Sequence, residues 1–572
     1  MHVATTRRQH KDKVYETHLL RRSYREDGKV KNETLANLSY LPPETIQLIR
    51  ESLSGKAHVL AGEGFEIERA LPHGHVAGLW AMAQKLELAK LLGPPCPQRD
   101  LALSLIIARC AQPASKLATT RWWADTTLGA DLVPEHSTAD DVYAAMDWLY
   151  ARQETIERSL ATRHLQAGSM VLYDLSSSWM EGTHCPLAQR GYSRDRKSGK
   201  AQIEYGLMTD HEGRPVAVEV FPGNTADPTA FISAVEAVRE RFKLSEVVMV
   251  GDRGMITSAR IEALRGLGGF SWITCLRAPA IRLLAEQGAL QLSLFDEQNL
   301  AEISHPDYPG ERLVACRNPA LAAERARKRS ELLDATESEL GAIVTAVSRD
   351  KRPLRGKDKI ALRVGKVVNH YKMAKHFEVV IEDDRLSFSR RHDEIDAEAS
   401  LDGIYVIRTN VAEERLDAPG AVTAYKGLSV VERDFRHMKA IDLDLRPIYH
   451  FTEDRVRSHV LVCMLAAYLL WHLRKAFAPL CFTDEEIPNR DDPVAPATRS
   501  DRARSKDASK VTPGGETVHD LSSLLNHLGT LTRNTVVFAG GVRIEKLALP
   551  TPLQRRAFEL LGAPIPLKLG PM

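Results

Sequence analysis

The sequence has few cysteines, and none of them stands in a C-x-x-C pair. An odd number of thiols without such pairs argues against a structural zinc site and against a disulfide framework. It favours reduced thiols in a cytoplasmic protein. The seven cysteines are Cys96, Cys110, Cys185, Cys275, Cys316, Cys463 and Cys481.

Long apolar runs of the kind that enter membranes are also missing. The N-terminus, MHVATTRRQHKDKVYETHLL, has no apolar core of signal-peptide type. The most apolar stretch runs from Val460 to Trp471, which is well short of the ~20 residues that span a bilayer. We therefore expect a buried core helix at this place, in a soluble cytoplasmic protein without membrane contact.

No excess of one charge sign marks the chain as a whole. The 77 Lys and Arg residues nearly balance the 75 Asp and Glu residues, which leaves a formal charge of +2. Only local clusters of charge can therefore point to nucleic acid. No glycine-rich loop of P-loop type is present, so no nucleotide cofactor is implied. A length of 572 residues predicts three to four structural units.

Residues 1–168 predict a hairpin followed by a mainly helical region. HLLRRSY and KVKNETLANL flank the turn-type tetrapeptide REDG, and a helix is expected after Pro42–Pro43. From His75 to Gln166, five segments carry apolar residues at three-to-four spacing, which is typical of amphipathic helices. Their composition fits a DNA-recognition region and a helical scaffold about equally.

Residues 169–277 and 402–483 predict an α/β catalytic core in two parts. The first part predicts strand, strand, strand, helix, strand, helix, strand, which is the RNase-H-like order. Strand-like segments at 278–401 predict a β-rich insertion between the two parts. Residues 484–517 are polar and rich in Pro, Arg, Asp and Ser, which predicts a flexible linker. A small unit of unknown role is expected at 518–572.

Two acids follow predicted strands of this core. Asp174 comes directly after the apolar triplet Val171–Tyr173, and Asp252 directly after Val247–Gly251. A single acid at a strand end is more often a turn or helix-capping residue. Two of them in this strand order indicate carboxylates that converge at one edge of the sheet. Such carboxylates repel one another unless cations lie between them, and hard divalent ions suit oxygen ligands.

Glu432 is the third candidate acid. In YKGLSVVERDFRHMK the residues Tyr425, Leu428, Glu432 and Lys439 lie at i, i+3, i+7 and i+14, on one face of a predicted helix. The alternative is a solvated helix acid that pairs with Arg436 at i+4. The two upstream acids favour the functional interpretation.

These residues resemble the signature of the DDE transposases of bacterial insertion sequences, in the branch with a β-strand insertion before the Glu. That signature is Tyr, two residues, Arg, three residues, Glu, six residues, Lys. Tyr425, Glu432 and Lys439 match it in identity and spacing, whereas Leu428 occupies the Arg position, for which Arg433 or Arg436 could partly substitute. GYSRDRKSGKAQIEYGL and EVFPGNTADPTAF resemble the same family.

The resemblance implies a metal-dependent DNA enzyme. Asp174, Asp252 and Glu432 would hold two Mg²⁺ or Mn²⁺ ions, and Tyr425 and Lys439 would contact the DNA backbone near the cut. The implied reaction is cleavage at the element's terminal repeats and attack of the freed 3′-hydroxyl on target DNA, by a dimer on double-stranded DNA. A nuclease that cuts without joining, and a DNA-binding protein with a silent acidic site, remain the alternatives.

Two clusters of basic residues are expected to contact DNA. Between Lys351 and Lys375 nine Lys and Arg residues stand against one acid, and such a run would give salt-dependent DNA binding. An exposed, solvated strand pair is the alternative for this segment. The second cluster follows the first acid and would line a DNA channel; it consists of Arg190, Arg194, Arg196, Lys197 and Lys200.

Overall fold

The computed structural model describes residues 1–10, 13–56, 64–182, 184–197, 199–291, 293, 295–485, 492–538 and 541–570. The chain forms two compact units. Unit 1 combines Met1–His73 with Leu531–Pro550, and unit 2 combines Gly74–Thr530 with Thr551–Met572.

The strands occur in several groups that are separated by one helix or by several consecutive helices. The strands are β1 (His2–His10), β2 (Lys13–Glu26), β3 (Lys29–Asn37), β4 (Phe65–Pro72), β5 (Met170–Trp179), β6 (Gln202–Thr209), β7 (Pro215–Pro222), β8 (Val247–Gly251), β9 (Phe270–Cys275), β10 (Leu300–Ile303), β11 (Arg312–Arg317), β12 (Phe377–Ile381), β13 (Leu386–Arg390), β14 (Ile404–Thr409), β15 (Thr532–Phe538) and β16 (Arg543–Leu547).

Twenty α-helices lie within the described residues. They are α1 (Pro43–Leu53), α2 (Gly74–Lys85), α3 (Leu88–Leu92), α4 (Pro97–Ala111), α5 (Lys116–Ala124), α6 (Thr127–Leu132), α7 (Ala139–Tyr150), α8 (Gln153–His164), α9 (Asp227–Glu236), α10 (Ser258–Leu267), α11 (Ala278–Glu286), α12 (Pro319–Ser348), α13 (Lys357–Tyr371), α14 (His392–Ala399), α15 (Ala418–Lys426), α16 (Leu428–Arg436), α17 (Glu453–Phe477), α18 (Asp501–Ser509), α19 (Leu521–Gly529) and α20 (Pro552–Leu561). Short π-helical turns follow α9 at Ala237–Arg241 and α16 at His437–Ile441.

Unit 1 contains two antiparallel three-stranded sheets. The first has the order β1-β2-β3, and its β2–β3 hairpin turns at Asp27 and Gly28, which both have positive φ. The predicted hairpin around REDG is therefore confirmed. The second sheet has the order β16-β15-β4, so β4 from the N-terminal segment pairs with β15, and β15 also pairs with β16 of the C-terminal segment.

Unit 2 is built around an eight-stranded sheet of order β10-β11-β14-β9-β8-β5-β6-β7. Strands β5, β6 and β7 form an antiparallel meander, whereas β8 runs parallel to β5 and β9 parallel to β8. Tyr173 of β5 pairs with Gly251 of β8. The residues that follow each of them, Asp174 and Asp252, therefore lie side by side at one edge of the sheet.

The apolar stretch after His459 forms the middle of α17, which is the core helix of unit 2. Residues from Val460 to Leu470 are almost entirely buried, so the prediction of a buried helix is confirmed. By length and composition alone, Glu453–Leu480 would be long and apolar enough to cross a membrane, and it is the one such helix in the described residues. Helices α4 and α7 pack against α17, which favours the scaffold interpretation of this helical segment.

The segment 278–401 requires a correction, because helices α11 to α14 make it mainly helical and not β-rich. KIALRVG lies in α13, where Ile360, Val364 and Val367 are buried at helical spacing. Strands β10 and β11 belong to the main sheet, and only β12 and β13 form a separate hairpin. Helices α12 and α13 pack with that hairpin around a small core of their own.

The C-terminal segment also differs from the predicted linker and small unit. Within 484–517, α18 is held by the buried Lys506, whose Nζ donates to the carbonyl oxygens of Ala478 and Thr483. Within 518–572, β15 and β16 belong to unit 1, whereas α19 and α20 pack against α2 in unit 2. The segment therefore completes both units, because its apolar faces are buried against earlier parts of the chain.

Candidate active site

Two of the three predicted acids line one cavity at the edge of the sheet. The cavity has a volume of about 500 Å³ and is lined by Asp174 of β5 and by Asp252, which directly follows β8. The strand residues that precede both acids, Val171–Tyr173 of β5 and Val247–Gly251 of β8, are apolar and buried, so the backbone beneath both carboxylates is held by strand pairing. The strand-end placement predicted for Asp252 is confirmed, whereas Asp174 lies within β5, directly after the last residue that pairs with β8.

The Asp174 carboxyl group is partly buried and lies in a negative environment. Burial, with repulsion from Glu432 and Asp252, raises the pKa of Asp174 to about 7. The N–H of Leu175 and the nearby Arg194 guanidinium oppose this shift of the pKa. A carboxyl group that is destabilised in its charged form by two other carboxylates gains from a cation placed between them.

Asp252 is exposed and is oriented by two donors. The backbone N–H of Arg253 donates to its Oδ1 at 2.8 Å, and the Tyr425 hydroxyl lies 3.5 Å from the same oxygen. Tyr425 is the last residue but one of α15, and burial raises the pKa of its hydroxyl. The side chain predicted to contact DNA thus lies beside the second acid.

Glu432 lies on α16, with its side chain exposed. Its charge contributes to the raised pKa of Asp174, so the three acids share one electrostatic environment. In the described part of the chain, however, no three Asp, Glu, His or Cys side chains are arranged to hold a metal ion. Carboxylate oxygens are the donor atoms that Mg²⁺ and Mn²⁺ prefer. The three carboxylates of this structure, however, do not converge on a single ion position.

Comparison with protein families assigns most of the chain. Residues 3–62 match the model described as "IS1634 family transposase, N-terminal domain", and residues 176–470 match that described as "Transposase DDE domain". The chain belongs to the DDE transposases of insertion sequences. The predicted family is therefore confirmed.

More distant comparisons add little to this assignment. No curated protein sequence matches the transposase significantly. One similar solved structure is a piggyBac transposase synaptic complex with hairpin DNA, which is 8% identical and has a TM-score of 0.34. The match covers 82% of this chain and 81% of that one. A TM-score of this size is too low to define the fold.

Further charged residues of the transposase line the acidic cavity. Arg194 pairs with Glu204 at 3.2 Å and with Asp227 at 2.6 Å, so its guanidinium is engaged within the protein. Burial raises the pKa of Glu204 to about 7. The sequence interpretation did not single out Glu204 or Asp227, although both stand in the two stretches that resemble the family, AQIEYGL and NTADP.

Lys439 does not share an exposed face with Glu432. Its ammonium group donates to Asp195 at 2.9 Å, and both side chains are buried. Arg446 pairs with the same Asp195. The π-helical turn that contains Lys439 holds an extra residue per turn, which rotates the side chain away from the position expected in a regular α-helix.

The remaining predicted DNA-binding residues are accessible. Arg196 and Arg436 are exposed, and Lys197 lies with its Nζ 5.2 Å from the centre of the Trp179 ring. Leu428, which occupies the Arg position of the signature, is buried in α16. The exposed cations of the predicted set therefore belong to the loop before β6 and to the end of α16.

Proposed function

We propose that the transposase cleaves DNA strands at the ends of its insertion sequence and joins the freed 3′-hydroxyl to target DNA. The observation that carries the proposal is the pair Asp174 and Asp252 at one sheet edge, with the charge of Glu432 acting on Asp174. Catalysis at phosphorus requires that the groups which stabilise the developing negative charge lie close together around the reacting phosphate. Membership of the DDE transposases supports the same chemistry.

The proposal includes an RNase-H-like core. Its support is the order β7-β6-β5-β8-β9, in which an antiparallel meander is extended by two parallel strands. Along the chain, β5, β6, β7, α9, β8, α10 and β9 follow one another in the succession of strands and helices predicted for 169–277. The first and fourth of these strands along the chain carry the two acids, and α16 brings the third after the sheet has been extended by β14.

We further propose that Asp174, Asp252 and Glu432 hold two divalent cations, Mg²⁺ or Mn²⁺. The donor set consists of carboxylate oxygens, which suits these hard ions. Burial is the main cause of the raised pKa of Asp174, and repulsion from Glu432 and Asp252, which a cation would relieve, adds to it. When bound, the cations supply Lewis-acid stabilisation of the attacking and leaving oxygens.

The protein's own residues orient the reacting strand. Tyr425 positions Asp252 through its hydroxyl, and the exposed Arg196, Lys197 and Arg436 are accessible for binding to phosphates. The inward-facing Arg194 and Lys439 fix the loop at 190–197 through Glu204, Asp227 and Asp195. We therefore assign these two cations a positioning role.

The proposed partners are double-stranded terminal repeats and target DNA, bound in the cytoplasm. Two element ends must be brought together, so we propose a dimer on DNA. The test against a nuclease that only cuts is a strand-transfer assay with a pre-cleaved element end that carries a free 3′-hydroxyl and with supercoiled target DNA. Joined products support the proposal, whereas hydrolysis without joining contradicts it.

A basic stripe on α13 provides a further contact with DNA in this proposal. Lys359, Arg363 and Lys366 are separated by four and three residues, so they lie on one face of the helix, and all three are exposed. Among the described residues they have no ion-pair partner. We expect the triple glutamine variant to bind labelled element-end duplex more weakly and to lower the slope of log Kd against log salt by about three.

A matched control lies on the neighbouring helix. Arg327 and Lys328 of α12 are exposed and pair with Glu324, and Arg327 also pairs with Glu331. Their double glutamine variant is expected to leave the salt slope nearly unchanged. Equal slopes for the parent and the α13 variant, measured by fluorescence anisotropy, would show that the stripe faces only solvent.

A further inference from the structure

Unit 2 contains a second cavity, and none of the three acids lines it. It has a volume of about 570 Å³ and lies between the start of α5, the start of α17 and the segment 444–452. Its lining includes four Lys and Arg residues and one acid, Asp444. We call it the cationic cavity.

Two of the four cations have carboxylate partners and two do not. Arg446 pairs with Asp195, and Arg455 pairs with Asp147 at 2.6 Å. Arg109 and Lys116 have no carboxylate partner among the described residues, although each is only 4% exposed. Charges buried in this way are costly unless an opposite charge is brought to them.

The contacts of Lys116 show that its partner is an uncharged imidazole. His459 Nε2 donates to the carbonyl oxygen of Leu445 at 3.1 Å, so its Nδ1 accepts from the Lys116 ammonium at 2.8 Å. Burial lowers the pKa of Lys116 well below its usual value, and the neighbouring Arg109 adds to this effect. The charged form of Lys116 is therefore disfavoured within the protein alone, and an anion in the cavity would stabilise it.

Arg109 is held by backbone carbonyl groups. Its guanidinium donates to Ala114 O at 2.8 Å and to Leu443 O at 3.4 Å. Its Nε is buried and has no hydrogen-bond partner in the described structure. A guanidinium fixed in this way presents charge and at least one unused donor beside the cavity, which suits an oxyanion.

Two helix N-termini reinforce the positive potential. Ser115 is the N-cap residue of α5 and Thr452 is that of α17, and both line the cavity. The N-terminal end of a helix carries a partial positive charge and free backbone N–H groups, which favour phosphate. The fixed cations and the helix ends therefore act in the same direction.

Aromatic side chains lie at the rim of the same cavity. Tyr449 is 62% exposed and Phe451 is 63% exposed, and both belong to the lining. Exposed rings next to a cationic groove are the arrangement on which unpaired bases stack, without sequence preference. The combination of an anion site and a stacking surface is characteristic of a nucleotide unit in a DNA strand.

We infer that the cationic cavity binds a backbone phosphate of a DNA strand, through Arg109 and Lys116, while an adjacent unpaired base stacks on Tyr449 or Phe451. The inference deepens the proposed function and rests on its assignment of DNA as the partner. Arg446 of this cavity and Lys439 both pair with Asp195, which follows Arg194 of the acidic cavity. A strand that reaches the acids can therefore continue along this shared wall.

The test measures binding without cleavage. A fluorescein-labelled single-stranded 20-mer of mixed sequence is titrated with the full chain in EDTA, and anisotropy gives Kd at several salt concentrations. For Lys116→Met we expect about tenfold weaker binding and a salt slope lowered by about 0.7, which is the value for one phosphate contact of a single strand. For the double variant Tyr449→Ala/Phe451→Ala we expect about tenfold weaker binding with an unchanged slope.

Two controls make the outcome unambiguous. Lys90→Met removes an exposed lysine of α3 that pairs with Glu87, and it should bind like the parent protein. If Lys116→Met fails to fold in a melting experiment, the double variant decides, because both of its side chains are largely exposed. Parent-like binding by the folded variants would overturn the inference.

A melting experiment with inorganic phosphate distinguishes a DNA phosphate from a free phosphate ion as the ligand of the cationic cavity. If millimolar inorganic phosphate raises the melting temperature of the parent but not of Lys116→Met, while the oligonucleotide binds both equally, the cavity is a free-anion site and the DNA inference fails. The binding assay contains EDTA and no divalent metal, so it does not depend on cleavage or joining. If the transposase neither cleaves nor joins DNA, the binding result still holds. The two hypotheses are therefore tested separately.

Discussion

Replacing Asp174 or Asp252 by asparagine, or Glu432 by glutamine, is expected to lower the rate of strand cleavage at the element's ends by on the order of 10³-fold. The reason is loss of several kcal/mol of charge stabilisation at phosphorus, since about 1.4 kcal/mol corresponds to a factor of ten in rate. The measurement is a time course with labelled terminal repeats in Mg²⁺, under single-turnover conditions.

The matched control for these variants is Glu262→Gln. Glu262 lies on α10, soon after Asp252 in the chain, and its side chain is 76% exposed. It should cleave at the parent rate. DNA binding in EDTA should be retained by all four variants, because none of the changes removes a cation. Parent-like cleavage by any of the three acid variants would show that its carboxylate does not belong to the catalytic centre.

Glu311→Gln should destabilise unit 2 by about 3–5 kcal/mol, because it leaves a buried arginine without its counter-charge. Arg408 of β14 donates to both carboxylate oxygens of Glu311 at 2.6 Å, and both side chains are buried. Arg265 and the Trp272 ring N–H donate to the same carboxylate. The free energy of unfolding from denaturant titration measures the loss.

Two companion variants separate charge from packing in this cluster. Glu302→Gln removes a partly exposed pair with Arg312 on the neighbouring strands and should cost at most about 1 kcal/mol. The double replacement Glu311→Leu/Arg408→Met should recover most of the stability, because no buried charge then remains unpaired. If Glu311→Gln is as stable as Glu302→Gln, the cluster contributes no more than a surface pair.

The sheet and two of the acids were predictable because their signals are local. Strands that are buried on both faces are often continuous apolar runs, and β8 and the first four residues of β5 are such runs, each followed by an acid. α13 was not predicted, since a short apolar run with β-branched residues fits a strand and a helix alike. Its buried residues follow the helical period, and Leu362 between them is exposed.

The orientation of the predicted cations was not available from the sequence. Arg194 and Lys439 face inward because Glu204 and Asp195 come from separate parts of the chain, and no local pattern links these pairs. The π-helical turn at His437–Ile441 also shifts the register of Lys439 against the regular spacing of the signature. Exposure of a basic residue is decided by such distant partners.

The pairing of β4 with β15 has a consequence for the synthesis of the protein. β4 is made long before β15 and β16. Until β15 follows, β4 lacks its neighbouring strand, and exposed strand edges template aggregation. A chain that stops before Leu531 never gains that neighbour, so incomplete translation products should be insoluble or degraded rather than act as competing DNA-bound fragments.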